Sequence, residues 1–236
     1  MHKIPFFIGC FLSCFIPGIQ NRRNVRGWIN VLFFYFPIKR FVKRVYNEPI
    51  KKIRFVRQIS MKRMTCVVND KYFVKIFRFV SVKRLNDYKN LLDAIRPYLN
   101  VNIPEIFVDK HIPMYVDERL PGTIMTYLNK KDVIKHERKI TTQVHKMVDD
   151  LSGIPHKNIP NKELFVVKLQ AKKIPNNVKI TKKFGLAHDD LNPGNLLLDK
   201  DFNLVGVIDW DSLVFIPDAN NNKNLFDKKF LHYKQQ

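Results

Sequence analysis

Residues 188–211, HDDLNPGNLLLDKDFNLVGVIDWD, constrain the fold more than any other stretch of the chain. Leu196-Leu197-Leu198 reads as one strand, DKDFN as a turn and LVGVID as a second strand, which makes a β-ribbon. Such a ribbon carries Asp209 back beside Asn195 and gathers Asp190, Asn195 and Asp209 at one edge. An amide oxygen and a carboxylate converging there are hard donors, the kind Mg²⁺ accepts while it keeps waters and phosphate oxygens in its other positions. Asp190, on the loop before the turn, is placed to take a proton from an attacking hydroxyl. The spacing His-x-Asp-x-x-x-x-Asn is weak evidence by itself, and the ribbon around it gives it weight.

The elements before the ribbon set its context. IKKIRFVRQIS, RMTCVVND and KYFVKIFRF are rich in β-branched and aromatic residues, and the Asn-Asp pair between the last two reads as a tight turn, so three antiparallel strands are expected. Ser81 then caps a helix over about 81–96 with Val82, Leu85, Tyr88, Leu92 and Ile95 on one face and Pro97 at its end. IPEIFVD and IPMYVDERL give two further strands, closed by the turn LPG. Val133, Ile140, Val144, Met147, Val148 and Leu151 are spaced for one face of a long helix ending near Gly153. Pro155–Lys183 is polar, basic and proline-broken, and its structure is not legible. A sheet-rich half followed by a helical half is an α+β fold with two lobes: a basic aromatic segment over 1–47, a sheet lobe over 48–118 and a helical lobe over 119–236.

Charge is concentrated in the first of these. The chain carries a formal net charge of +21, and thirteen Lys or Arg residues fall between Arg22 and Arg63 against one acid, Glu48. The apolar runs IPFFIGCFLSCFIPGI and INVLFFYFPI flank Arg22, Arg23 and Arg26. The first run is too short to span a bilayer comfortably and lacks a small-residue cleavage site. Phenylalanine-rich patches alternating with basic clusters suit the headgroup region of an anionic membrane, where both attractions add. Two other readings stay open: an extra helical layer packed on the fold, and a nucleic-acid arm, which the many phenylalanines disfavour. Three cysteines, Cys10, Cys14 and Cys66, are too few for a disulfide framework and point to a reducing compartment. Cys10 and Cys14 lie one helical turn apart and read as buried thiols rather than as a lipidation or metal site.

The order HDDLNPGN then GVIDWD resembles the catalytic loop and metal-binding segment of the aminoglycoside phosphotransferase and choline kinase families, which share the protein-kinase-like fold. The resemblance runs over about 50–212 and is most specific at 188–211. It implies ATP and Mg²⁺ as cofactors, with Asp190 as the base that deprotonates the acceptor hydroxyl and Asn195 and Asp209 as the metal holders. It also implies that Lys75 of YFVKIF steadies the ATP phosphates, that Asp87 stands where the family pairs a glutamate with that lysine, and that His188 is a scaffold residue.

Four departures bear on function. Asp189 replaces a common glycine and sets a second carboxylate next to the presumed base. RQISMKRMTCVV has no glycine to bring backbone amides to a phosphate, which leaves Lys62 and Arg63 as point charges in their place. Asp87 is shorter than glutamate. Only 25 residues follow Asp211, fewer than the acceptor-binding tail of those families. A compact tail, a basic surface and an aromatic amino-terminal segment together resemble the kinases of lipopolysaccharide core sugars. The expected acceptor is therefore a small molecule or glycolipid at the inner face of an anionic membrane, with the enzyme cytoplasmic and peripheral. The alternatives are a catalytically inactive kinase-like binding protein and a basic nucleic-acid-binding protein.

Overall fold

The computed structural model describes residues 19–55, 63–169, 171 and 178–236, with 19–32 and 55 as backbone alone. Cys10, Cys14, the apolar run that holds them and Lys62 lie outside the described residues. The chain divides into two units, Met1–Lys89 with Glu105–Arg119, and Asn90–Pro104 with Leu120–Gln236. No helix among the described residues is long and apolar enough to cross a membrane.

In the first unit, helix α1 (Ile19–Tyr46) leads into strands β1 (Ile53–Phe55), β2 (Arg63–Val68) and β3 (Tyr72–Phe77), with β4 (Ile106–Val108) and β5 (Met114–Glu118) completing an antiparallel sheet in the order β1-β2-β3-β5-β4. Asn69 and Asp70 both take positive φ, 53° and 55°, as a two-residue turn matched to strand twist requires. Lys71 N–H donates to Val68 O across that turn. The Asn69 side chain also accepts from the Lys51 and Lys52 amides and donates to Pro49 O, which fixes the connection from α1 into β1. Helix α2 (Val82–Ile95) follows β3, capped by Ser81 Oγ, which accepts from Arg84 N–H at 3.1 Å.

Strand alternation decides what covers each face of the sheet. Cys66, Val74 and Val116 are register partners across β2, β3 and β5, and they share one core with Phe34, Ile38, Phe41 and Val42 of α1. Burial pushes the Cys66 thiol up to about 12, so it packs as an apolar group. Tyr46 stacks on Tyr72 at 3.9 Å, and Arg44 pairs with the buried Asp109 at 2.8 Å. Burial pushes the Asp109 carboxyl up, but the His111 and Ile112 amides and Arg44 outweigh it and hold the group below the usual carboxylate range. The membrane-surface reading of this segment is thereby narrowed. From Phe34 onward the inner face of α1 is core, because fully burying each large apolar side chain there gains about 1.5–3 kcal/mol. Phe33, Tyr35 and Phe36 stay exposed on the outside.

The second unit holds β6 (Thr123–Ile124), helices α3 (Lys130–Lys135) and α4 (Glu137–Ser152), then β7 (Phe184–His188), β8 (Leu196–Leu198), β9 (Leu204–Val207), β10 (Leu213–Pro217) and α5 (Asn222–Gln235). Its strands form two small antiparallel sheets, β6-β8-β9 and β7-β10. Residues 90–104 belong here rather than with the sheet lobe, because Asn102 bonds through its backbone to Val205 and Val207 of β9. The expected long helix from Val133 to Leu151 is two helices. The chain turns at His136 (φ −101°, ψ 13°), whose ring stacks on Phe202 at 4.2 Å. Val133 and Ile140 are seven residues apart, a spacing that fits one face whether or not the helix continues between them. The buried face is otherwise the expected one. At the LPG turn, Gly122 has φ +99°, and a Cβ there would lie 2.7 Å from Val205 Cγ2, so only glycine fits.

Candidate active site

The ribbon forms as its sequence prescribes. Leu196 pairs with Val207 and Leu197 with Gly206, and the turn between the two strands is held by Asp199, whose carboxylate accepts from the Asp201 and Asn203 amides. Ile208 N–H donates to Asn195 O at 2.9 Å, which sets Asp209 one residue beyond the pairing with Asn195. Asp209 sits in the left-handed region, at φ 63° and ψ 38°. For a residue other than glycine that conformation costs on the order of 1–3 kcal/mol and is found preferentially at functional sites.

The loop between β7 and β8 is held from both ends. Asp189 N–H donates to Ser212 O and Leu191 N–H to His188 O. Asn192 caps the turn before β8, accepting from Gly194 N–H at 2.8 Å while its own amide donates to Asp190 O at 2.8 Å and to Asp190 Oδ1 at 3.2 Å. The Asn195 amide donates to Asp190 O at 2.8 Å. Because its NH₂ group is turned toward Asp190, the Asn195 side-chain oxygen is left to face elsewhere. Asp190 and Asn195 are thus joined by hydrogen bonds, and the backbone bond from Ile208 to Asn195 puts Asp209 next in the chain after that pairing. A donor set of amide and carboxylate oxygens fits a hard cation such as Mg²⁺.

His188 is buried. Its Nε2–H donates to Ile208 O at 3.0 Å, and its ring meets Trp210 edge to face at 5.1 Å. Burial pushes its pKa below the ordinary imidazole value, against the opposing pull of the Ile208 carbonyl and of Asp209 and Asp190. Trp210 in turn donates from Nε1 to Val207 O at 2.7 Å. A neutral imidazole that bolts the end of β7 to the end of β9 is a scaffold group, as the resemblance implied.

Two lysines that the sequence did not single out complete the loop. Lys168 pairs with Asp189 at 2.7 Å, and Lys229 of α5 reaches Asp190 Oδ1 at 3.2 Å. The adjacent carboxylates thus answer to different cations. Nothing in the basic run DKKFLHYK distinguishes Lys229 from its neighbours, so no sequence signal marked it.

Lys75 lies in the other unit, on the sheet face opposite α1. It is buried, its ammonium stands 5.7 Å from the Tyr115 ring centroid, and Tyr115 is its register partner on β5. Tyr88 of α2 packs on the same ring at 6.1 Å. Asp87, half-buried, precedes Tyr88 on the helix.

The pattern that defines the phosphotransferase enzyme family matches residues 163–217, a span that contains the whole loop and ribbon. Among solved structures similar to this chain is the GDP and kanamycin complex of APH(2")-IIia, 14% identical with a TM-score of 0.59 over 86% of this chain and 83% of that one. An ADP-bound aminoglycoside phosphotransferase, APH(2'')-Ib, is 18% identical with a TM-score of 0.56 over 84% of this chain and 81% of the other. Macrolide 2'-phosphotransferase from Brachybacterium faecium is 12% identical with a TM-score of 0.56 over 84% and 82%. A comparison with curated proteins finds no match. The chain has the protein-kinase-like, α+β fold of the aminoglycoside and macrolide phosphotransferases, and its residues 163–217 carry the pattern of the phosphotransferase enzyme family.

Proposed function

We propose that the chain is an ATP- and Mg²⁺-dependent phosphotransferase that acts on a hydroxyl of a small molecule. The observation that carries this reading is the hydrogen-bonded pair Asp190 and Asn195 on the loop, with Asp209 following the residue whose backbone bonds to Asn195. In the reaction, Asp190 accepts the proton of the acceptor alcohol as its oxygen bonds to the γ-phosphorus. The bond from that phosphorus to the β,γ-bridging oxygen breaks, and ADP leaves. Asn195 and Asp209 would hold the Mg²⁺, which would supply charge neutralisation on the phosphate oxygens. Lys75 steadies the nucleotide phosphates, and Asp87 supports it from α2.

The finer reading is a sugar acceptor, in particular a sugar of a lipopolysaccharide core, with the enzyme cytoplasmic and peripheral at an anionic membrane face. Phe33, Tyr35 and Phe36 on the outside of α1 support it, as do the exposed Lys39, Arg40 and Lys43 beside them. Apolar contact and attraction to anionic lipid add on such a face. The basic run offers less to nucleic acid than its count implies, because Arg44, Lys52 and Arg54 are committed to Asp109 and Asp70.

Incubation of the purified chain with ATP, Mg²⁺ and core glycolipid tests both levels. Transfer of phosphate to the glycolipid is expected. Transfer to choline or an aminoglycoside but none to glycolipid rejects the finer reading. No Mg²⁺-dependent consumption of ATP with any acceptor rejects the enzyme and leaves a kinase-like binding protein.

A further inference from the structure

A cavity of about 500 Å³ opens in the second unit between the base loop and α5, lined by Asn192, Gly194, Lys228, Lys229, His232 and Tyr233 among others. Its size is that of small-ligand sites in general. Two contacts join it to the presumed base: Asn192 donates to Asp190, and Lys229 pairs with Asp190. The presumed base thus stands directly behind two residues of the cavity wall.

The lining has a definite charge. It holds two lysines and a histidine and no carboxylate side chain. The acids on the neighbouring helical turns are already engaged, Asp227 with His145 and Glu137 with Lys234. Lys228 is exposed and makes no ion pair among the described residues. Lys229 spends one contact on Asp190, and an ammonium has three N–H donors, so two remain. Tyr233 adds an aromatic ring to the lining, held in place by stacking on Phe230 at 6.0 Å, which itself stacks on Phe226, with the Lys130 ammonium 5.9 Å from the Tyr233 centroid. Such a fixed ring offers the C–H face of a sugar a large contact at little entropic cost, with its hydroxyl as a polar handle. A polycationic acceptor meets like charge in this cavity, and an anionic one meets its complement.

We infer that this cavity is the acceptor subsite and that it takes a sugar already bearing a phosphate group, with the phosphate on Lys228 and Lys229 and the sugar ring against Tyr233. The inference rests on the phosphotransferase reading and specifies its substrate class. It also orders the chemistry: a reaction that puts a phosphate on the sugar must come first.

Calorimetric titration of the full chain with glucose 6-phosphate, glucose, glucosamine and inorganic phosphate tests the subsite without turnover. Glucose 6-phosphate is expected to bind in a salt-sensitive manner, more tightly than glucose or phosphate alone, with glucosamine the weakest. Lys228→Glu weakens glucose 6-phosphate by about tenfold or more, the scale of one lost charge contact turned repulsive. Tyr233→Ala weakens it as well while leaving the affinity for inorganic phosphate as it was. Melting temperatures confirm that both variants fold. Glucosamine binding as tightly as glucose 6-phosphate, no saturable binding of the sugar phosphate, or indifference to Lys228→Glu each overturns the subsite. Equal affinity for phosphate with and without the sugar overturns the sugar half of it. Because binding is read apart from transfer, an inactive chain that still binds the sugar phosphate through Lys228 defeats the enzyme reading and spares the subsite. An active chain indifferent to Lys228 does the reverse.

Discussion

Helix α1 and the 188–211 ribbon are the two segments whose composition stands out, and the fold treats them in opposite ways. In the ribbon, chemistry-bearing side chains are fixed by local geometry: a strand, a turn, a return strand and a loop tied by its own asparagines. In α1 nothing local decides the outcome. Phe34, Ile38 and Phe41 are buried while Phe33 and Phe36 are exposed, although all are large apolar residues within a few positions. The helix period sorts them, and the sheet that receives one side comes from elsewhere in the chain. Proximity in sequence thus determines the loop of the second unit, whereas tertiary packing determines which aromatics of the first unit remain available to a partner.

The sharpest break between the two segments is an exchange of stability for activity. Asp190→Asn keeps the shape of the side chain and its place beside Asn192 but removes the proton acceptor. Phosphate transfer is expected to fall by about 10²–10⁴-fold, the usual worth of a positioned general base, with the melting temperature nearly unchanged. A loss of folding in place of a loss of turnover makes the loop structural. Phe41→Ala runs the other way. It empties a position that is 2% exposed in the core shared by α1 and the sheet, and about 3–5 kcal/mol of stability is expected to be lost in denaturant unfolding. A loss near zero means α1 does not depend on that core.

The same contrast explains what the sequence revealed. The hairpin at Asn69-Asp70, the Ser81 cap, the helical face of Ile140 to Leu151 and the ribbon were legible because each follows from neighbours a few residues apart. The division of 133–152 at His136 was not, since it depends on Phe202, 66 positions away. Lys168 and Lys229 escaped notice for the same reason: a surface lysine gains its meaning only from the carboxylate that tertiary structure sets against it. Lys75 stands on the strand where it was expected, yet its burial beside Tyr115 and Tyr88 required the sheet.

A smaller effect sets the ribbon's scaffold apart from its chemistry. His188 resists protonation when folded, and in the unfolded chain it titrates near 6.5. As pH falls through about 6.5 the unfolded state takes up a proton that the folded state refuses, so stability declines from there down to the lowered folded value. At higher pH the imidazole is neutral in both states and contributes no slope. His188→Gln keeps a donor for Ile208 O and cannot titrate. Melting curves from about pH 8 to about pH 5 should therefore show a shallower acid-side decline in the variant. An identical decline places the proton elsewhere.

The least costly change probes the outer side of α1. Replacing Phe33 and Phe36 together with serine touches no core contact, and at 48% and 67% exposure the pair is expected to alter stability by no more than about 0.5 kcal/mol per residue. If this face meets an anionic membrane, the double variant co-sediments less with vesicles containing phosphatidylglycerol than the parent does. The remaining Lys39, Arg40 and Lys43 make the residual binding more salt-sensitive, because the apolar share of the attraction is gone and the screened share is left. Unchanged sedimentation at unchanged stability leaves the exposed phenylalanines without a lipid role. It would also make the two sides of α1 differ only in what the sheet covers, rather than in what each was selected to meet.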